Sequence, residues 1–145
     1  MIGLLQRVTQ ALVTVDGKTT GEISRGLLVF VAVHRDDSEQ DVTRLAERIL
    51  TYRVFPDGDD RMNRSLLDEE LGLLLVPQFT LAADTKKGTR ASFTKAASPE
   101  TGLALFEQLV GLCRERLNTV ETGRFGANMQ VTLTNDGPVT FWLES

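Results

Sequence analysis

The sequence predicts one α+β domain in which strands outnumber helices. Three observations predict it. Short runs rich in Val, Leu, Ile and Thr are separated by turn dipeptides. Two stretches carry apolar residues every three or four positions. No linker, internal repeat or shift in composition divides the 145 residues. A chain of this length buries roughly two-thirds of its unfolded surface, enough for a core without staples.

The elements follow in order. Leu4–Val15 and Thr19–Ile23 are β-leaning runs broken by Asp16-Gly17, a dipeptide suited to a two-residue hairpin. Leu27–Val33 is apolar on both alternating sets, which predicts a central strand covered on both faces. Ser38, with Asp41 behind it, caps an amphipathic helix carrying Val42, Leu45, Ala46, Ile49 and Leu50 on one stripe. Asp57-Gly58-Asp59-Asp60 marks a turn. Leu71–Val76 is a strand that runs into Pro77-Gln78-Phe79-Thr80-Leu81. Ser98-Pro99-Glu100 starts a second helix whose stripe is Leu103, Phe106, Val110, Cys113 and Leu117. Met129–Thr134 and Val139–Leu143 read as two strands separated by Asn135-Asp136-Gly137-Pro138.

Composition excludes several kinds of chemistry. The net charge of −4 argues against broad nucleic-acid capture, leaving room only for local basic patches such as Lys86, Lys87, Arg90 and Lys95. On composition alone that stretch reads as a solvated loop. One cysteine permits no intrachain disulfide, and the opening Met1-Ile2-Gly3-Leu4-Leu5-Gln6-Arg7 is unlike a signal peptide, so the cytoplasm is the expected compartment. No apolar run approaches the roughly 20 residues of a membrane span. One histidine and one cysteine do not make a zinc site, and no compact acidic motif suggests another metal. Neither a phosphate loop nor a dinucleotide fingerprint is present, so no cofactor is expected. His34 reads as a polar strand-end residue and Cys113 as a small apolar helix residue.

Catalysis then falls to hydroxyls, backbone amides or the substrate. Gln78-Phe79-Thr80 stands where a strand ends, so amides released from the ladder could face a developing oxyanion, with the Thr80 hydroxyl beside them. On spacing alone the same residues read more simply as the close of a strand, with Phe79 in the core. Gly137-Pro138 reads either as an ordinary turn with a trans peptide or as a rigid pair presenting two carbonyl oxygens to an amino group.

Gln78-Phe79-Thr80-Leu81 and Asn135-Asp136-Gly137-Pro138-Val139-Thr140 resemble the two signature motifs of the D-aminoacyl-tRNA deacylases. Other segments resemble the family in order: Gln6-Arg7-Val8, Tyr52-Arg53-Val54-Phe55, Met62-Asn63, Ala82-Ala83-Asp84, Ser92-Phe93 and Gly123–Met129. The resemblance spans essentially the whole chain.

It implies a barrel-like, mainly antiparallel sheet with two principal helices, in an intertwined homodimer whose sites lie at the subunit interface. It implies a carboxylic ester hydrolase that frees tRNA from D-amino acids and accepts mischarged glycyl-tRNA. Gly137 and Pro138, joined by a cis peptide, would enter the partner's pocket, hold the substrate amino group and exclude an L side chain. Arg7 would fix that motif. Gln78, Phe79 and Thr80 would line the ester site, with Phe125, Gly126, Ala127 and Met129 as the neighbouring wall. The implied partner is the 3′-terminal adenosine of an aminoacyl-tRNA, not DNA or a membrane, and Lys86, Lys87, Arg90 and Lys95 become candidate tRNA contacts. One departure stands out: Pro77 occupies a position where the family usually has serine, removing a hydroxyl and an N–H. That leaves an alternative reading, a dimer that binds RNA or protein without catalysis.

Overall fold

A computed structural model describes residues 1–145. Strand β1 (Ile2–Val15) turns through Asp16 and Gly17, both at positive φ, into β2 (Lys18–Ile23), with Val15 paired to Lys18. Two successive positive-φ residues suit a hairpin turn whose twist matches the strands it joins. The first half of β1 pairs antiparallel with β3 (Gly26–Ala32), so β1 crosses from one neighbour to the other along its length.

Helix α1 (Glu39–Thr51) carries the chain over to β6 (Gly72–Pro77), which lies parallel to β3; β7 (Val120–Thr122) lies parallel to β6. A parallel return requires such a crossover, and the helix supplies it. Strand β8 (Gln130–Glu144) pairs antiparallel with the other edge of β1. The sheet is therefore mixed, with order β2-β1-β3-β6-β7 and β8 beside β1. It nearly closes into a barrel where β2 meets β7: a Cβ on Gly21 would lie 2.5 Å from the Thr122 carbonyl oxygen, so that approach needs glycine.

The two faces of β3 enter two cores. Leu27, Val29 and Val31 pack with Leu45, Ile49 and Leu109 beneath α1 and α3 (Pro99–Arg116), whereas Leu28 joins Val8, Val13, Leu74 and Val76 inside the barrel. This is why Leu27–Val33 lacks alternation. Each fully buried leucine contributes roughly 1.5–3 kcal/mol.

The structure revises four details. A third helix, α2 (Leu66–Glu69), is closed by a capping box between Ser65 and Asp68, and its four residues are too few to show periodicity. The Asp57–Asp60 turn joins a small hairpin, β4 (Phe55–Pro56) and β5 (Met62–Arg64). In α3 the buried stripe runs through Gly102, Leu105, Phe106, Leu109, Val110 and Cys113, leaving Leu103 exposed one position off it. The two expected C-terminal strands form one, β8, which bulges at Asp136–Val139 opposite Arg7 and rejoins β1 on either side.

Candidate active site at the ends of the parallel strands

Strands β3 and β6 run the same way, so their C-terminal ends open together. A cavity of about 460 Å³ lies there, floored by Val31, Val33, Pro77 and Gln78. The first turn of α3, with Ser98, Pro99 and Gly102, covers one side, and Phe125, Gly126, Ala127 and Met129 form another. None of the side chains lining it is ionisable.

The Gln78 N–H donates to the Val31 carbonyl at 2.7 Å, the last rung before the chain leaves the sheet. Phe79–Ala82 then form a 3-10 turn. Phe79 and Thr80 stand ahead of the first donor of that turn, the Leu81 N–H that bonds to the Gln78 carbonyl, so the helical ladder does not consume their amides. The Gln78 side-chain amide donates to the Thr80 hydroxyl. The core reading of Phe79 is overturned: the turn rotates it outward, 60% exposed, with its ring 5.1 Å from that of Phe93. Both phenyl groups line the cavity. Thr80 follows these lining residues without being one of them.

Pro77 fits its place. Gln78 N–H faces β3, so the nitrogen of Pro77 faces the β7 side, where that strand has already ended at Thr122. A missing donor at such an edge breaks no rung. Pro77 is buried and forms part of the cavity floor.

The Gly137–Pro138 peptide is cis and both residues are exposed. Arg7 holds the bulge that carries them: Nε donates to the Asp136 carbonyl at 3.1 Å and Nη1 to the Val54 carbonyl at 2.7 Å, while the Asp136 carboxylate lies 3.4 Å from Nε. The Asn135 amide closes the neck by donating to the carbonyls of Arg7 and Val139 at 2.9 and 3.0 Å. Gly137 sits at φ 137°, where L side chains are strained, and a Cβ there would lie 2.6 Å from Val139 Cγ2 and 2.8 Å from Val139 N. Only glycine fits this bend.

The predicted residues thus form two groups within one chain. Pro77, Gln78 and Phe79 meet Phe125, Gly126, Ala127 and Met129 around the cavity, while Arg7 meets Gly137 and Pro138 elsewhere, outside that lining. Lys86, Lys87, Arg90 and Lys95 are exposed and outside it too. Lys95 pairs with Asp84 at 3.6 Å, and Asp84 is held below the usual carboxylate range chiefly by the Lys86 backbone N–H, with both lysines adding to it. The His34 backbone N–H donates to the Asp37 carboxylate, and Cys113 is buried, its thiol pushed up to about 12 by desolvation.

Sequence reasoning missed the part of the wall made by Ala96, Ala97, Gly102 and Phe106. Gly102 was the available signal: a glycine on the buried stripe of a helix, where a Cβ would come 3.3 Å from Phe125 Cζ.

The model of the D-Tyr-tRNA(Tyr) deacylase family matches residues 4–144. The chain belongs to this family. Relatives named D-aminoacyl-tRNA deacylase, which this D-Tyr-tRNA deacylase family member resembles throughout, include one from Alkalilimnicola ehrlichii, 65% identical over 145 residues, covering 100% of this chain and 97% of that one. One from Methylococcus capsulatus is 62% identical, covering 99% and 94%. One from Escherichia coli O81 is 54% identical, covering 99% of each. Among solved structures, the "c-Myc DNA Unwinding Element Binding Protein" superposes with a TM-score of 0.95 at 35% identity, covering 100% of this chain and 99% of that one. A second, titled "Structural Analysis of a probable eukaryotic D-amino acid tRNA deacylase", has a TM-score of 0.87 at 19% identity, covers 99% and 98%, and shares the fold.

Proposed function

We propose that this member of the deacylase family hydrolyses the ester joining a D-amino acid to the 3′ end of tRNA, a chiral proofreading step in the cytoplasm. The observation that carries the reading is a cavity with no ionisable lining side chain beside an exposed Phe79. An ester is activated enough to be cleaved by positioned amides and hydroxyls without a general base from the protein. Water attacks the ester carbonyl, the carbon–oxygen bond to the ribose breaks, and the proton passes to the departing ribose oxygen. The neighbouring ribose hydroxyl assists that transfer, while the Phe79 and Thr80 amides stabilise the oxyanion. A covalent Thr80 intermediate is disfavoured, because the partner of its hydroxyl is the Gln78 amide, a donor and not a base.

Gly137 and Pro138 of one subunit complete the cavity of the other in a homodimer. Two facts support this: the motif is rigidly held by Arg7 yet exposed, and it lies outside the cavity of its own chain. Its carbonyl oxygens accept from the substrate amino group, and its backbone occupies the space an L side chain would need. Glycine, with no side chain, is accepted, so glycyl-tRNA is a second substrate.

Mixing two inactive variants tests the shared site. Gly102→Trp blocks the cavity and Gly137→Val displaces the motif, so a heterodimer retains one site with both parts intact. Activity restored on mixing supports the cross-subunit reading; no restoration in verified heterodimers means that the motif acts otherwise. A non-catalytic binder, the reading nearest the name of the 35%-identical structure, would sequester aminoacyl-tRNA without turnover.

A further inference from the structure

A second cavity, of about 540 Å³, opens between α3 and the segment Thr122–Phe125. Phe106 and Phe125 line both this groove and the candidate active site, with their ring centroids 6.4 Å apart. The two spaces lie back to back across these rings. A polynucleotide whose terminal aminoacyl-adenosine fills the first must leave it through its 5′ phosphate, and the groove is the adjoining space.

Its chemistry suits a phosphodiester. Arg114 and Arg124 both line it, and neither joins an ion pair. Arg114 Nη2 donates to the Val120 carbonyl at 3.4 Å, which steadies the guanidinium and leaves its remaining N–H groups unspent. The Thr122 hydroxyl is a further donor, and Glu107 is the one acid in the lining. Two guanidinium forks against one carboxylate leave the groove positive on a protein whose net charge is −4.

Gly111 adds an independent observation. It lies in the interior of α3 and lines the groove, yet a Cβ there would meet nothing within 4 Å. Glycine weakens a helix interior relative to alanine, and packing within this chain does not require it here. Its effect is to leave the helix surface bare where it lines the groove.

We propose that this groove seats the phosphodiester backbone immediately 5′ of the terminal adenosine, with Arg114 and Arg124 as its phosphate ligands and Gly111 as the clearance for the sugar. The proposal rests on the deacylase reading, and it assigns to the groove recognition of the RNA strand and not of the amino acid.

The test compares D-tyrosyl-tRNA with 3′-O-D-tyrosyl-adenosine, which lacks the preceding phosphates. The R114Q/R124Q variant should lose about tenfold in kcat/KM on the tRNA substrate, as expected for lost charge-assisted contacts. It should cleave the adenosine ester at the rate of the parent. Its dependence of log affinity on log salt should flatten by about 0.7 for each phosphate contact removed. Gly111→Ala should raise the melting temperature and also raise KM for the tRNA substrate, a pairing that a purely structural glycine would not give. Equal losses on both substrates, an unchanged KM for tRNA in either variant, or a change of oligomeric state on sedimentation would overturn the proposal. Should the parent cleave neither substrate, the deacylase reading falls by itself; filter binding of tRNA to the parent and to R114Q/R124Q then decides the groove, weaker binding by the variant supporting it and equal binding overturning it.

Discussion

Replacing Gly137 by alanine places a methyl group where the bulge has no room. The new Cβ would sit 2.6 Å from Val139 Cγ2 and 2.8 Å from the Val139 nitrogen, and the residue would keep a φ of 137°. The valine side chain can rotate away, but the backbone nitrogen cannot yield without moving the turn. The turn is tied by Arg7 to Asp136 and by Asn135 to Val139. A residue held in such a glycine-only region costs about 1–3 kcal/mol. At about 2–4 °C per kcal/mol, the melting temperature falls by about 2–12 °C. Whatever strain the turn relieves by shifting displaces the Gly137 and Pro138 carbonyls, and a misplacement approaching 1 Å costs on the order of 100-fold. The expected result is a folded protein with kcat/KM on D-tyrosyl-tRNA reduced by about 10- to 100-fold. Gly58→Ala is the control, since nothing lies within 4 Å of its Cβ and its φ is unexceptional. Calorimetry and ester-loss kinetics on both variants decide it: a Gly137→Ala protein matching the parent in stability and rate would refute the reasoning.

Thr80→Ala should retain substantial hydrolysis, whereas a substrate ending in 2′-deoxyadenosine should lose most of it; a parent acyl-enzyme trapped on Thr80 would reverse this. Cys113 yields a pH prediction. Its folded pKa of about 12 exceeds the ordinary 9.0, so the unfolded thiol ionises first. The stability this contributes is intact below pH 9 and is lost as pH rises from 9 towards 12. At pH 10 the loss is about 1.4 kcal/mol relative to Cys113→Ala, and urea titrations of the two proteins at pH 8 and 10 should show it. Reversing Lys86 and Lys87 to glutamate should weaken tRNA binding and its salt dependence while leaving the D-over-L preference intact; unchanged binding assigns the loop to solvation alone.

Much of the fold was legible because local signals agreed with tertiary ones. Ser38 and Ser98 cap the helices they predict, Asp16-Gly17 makes the hairpin, and the unbroken apolar run at Leu27–Val33 is buried on both faces. The misread parts depend on partners distant in sequence. Asn135–Pro138 looks like a turn between strands, but β1 pairs with both flanks across a register shift, so one strand bulges opposite Arg7. Phe79 looks like a core residue until the 3-10 turn carries it outward onto Phe93. The site was only half legible. Gln78-Phe79-Thr80 and Gly137-Pro138 carry recognisable motifs, whereas the wall from Ala96, Ala97, Gly102 and Phe106 consists of ordinary apolar residues whose role arises from where α3 lands on the sheet.

The most direct test of chiral deacylation is to add trace protein to D-tyrosyl-tRNA and, separately, to L-tyrosyl-tRNA, and to follow ester loss against an uncatalysed control. Many turnovers on the D-ester with the L-ester spared is the predicted result. Survival of both esters, or equal loss of both, would contradict it.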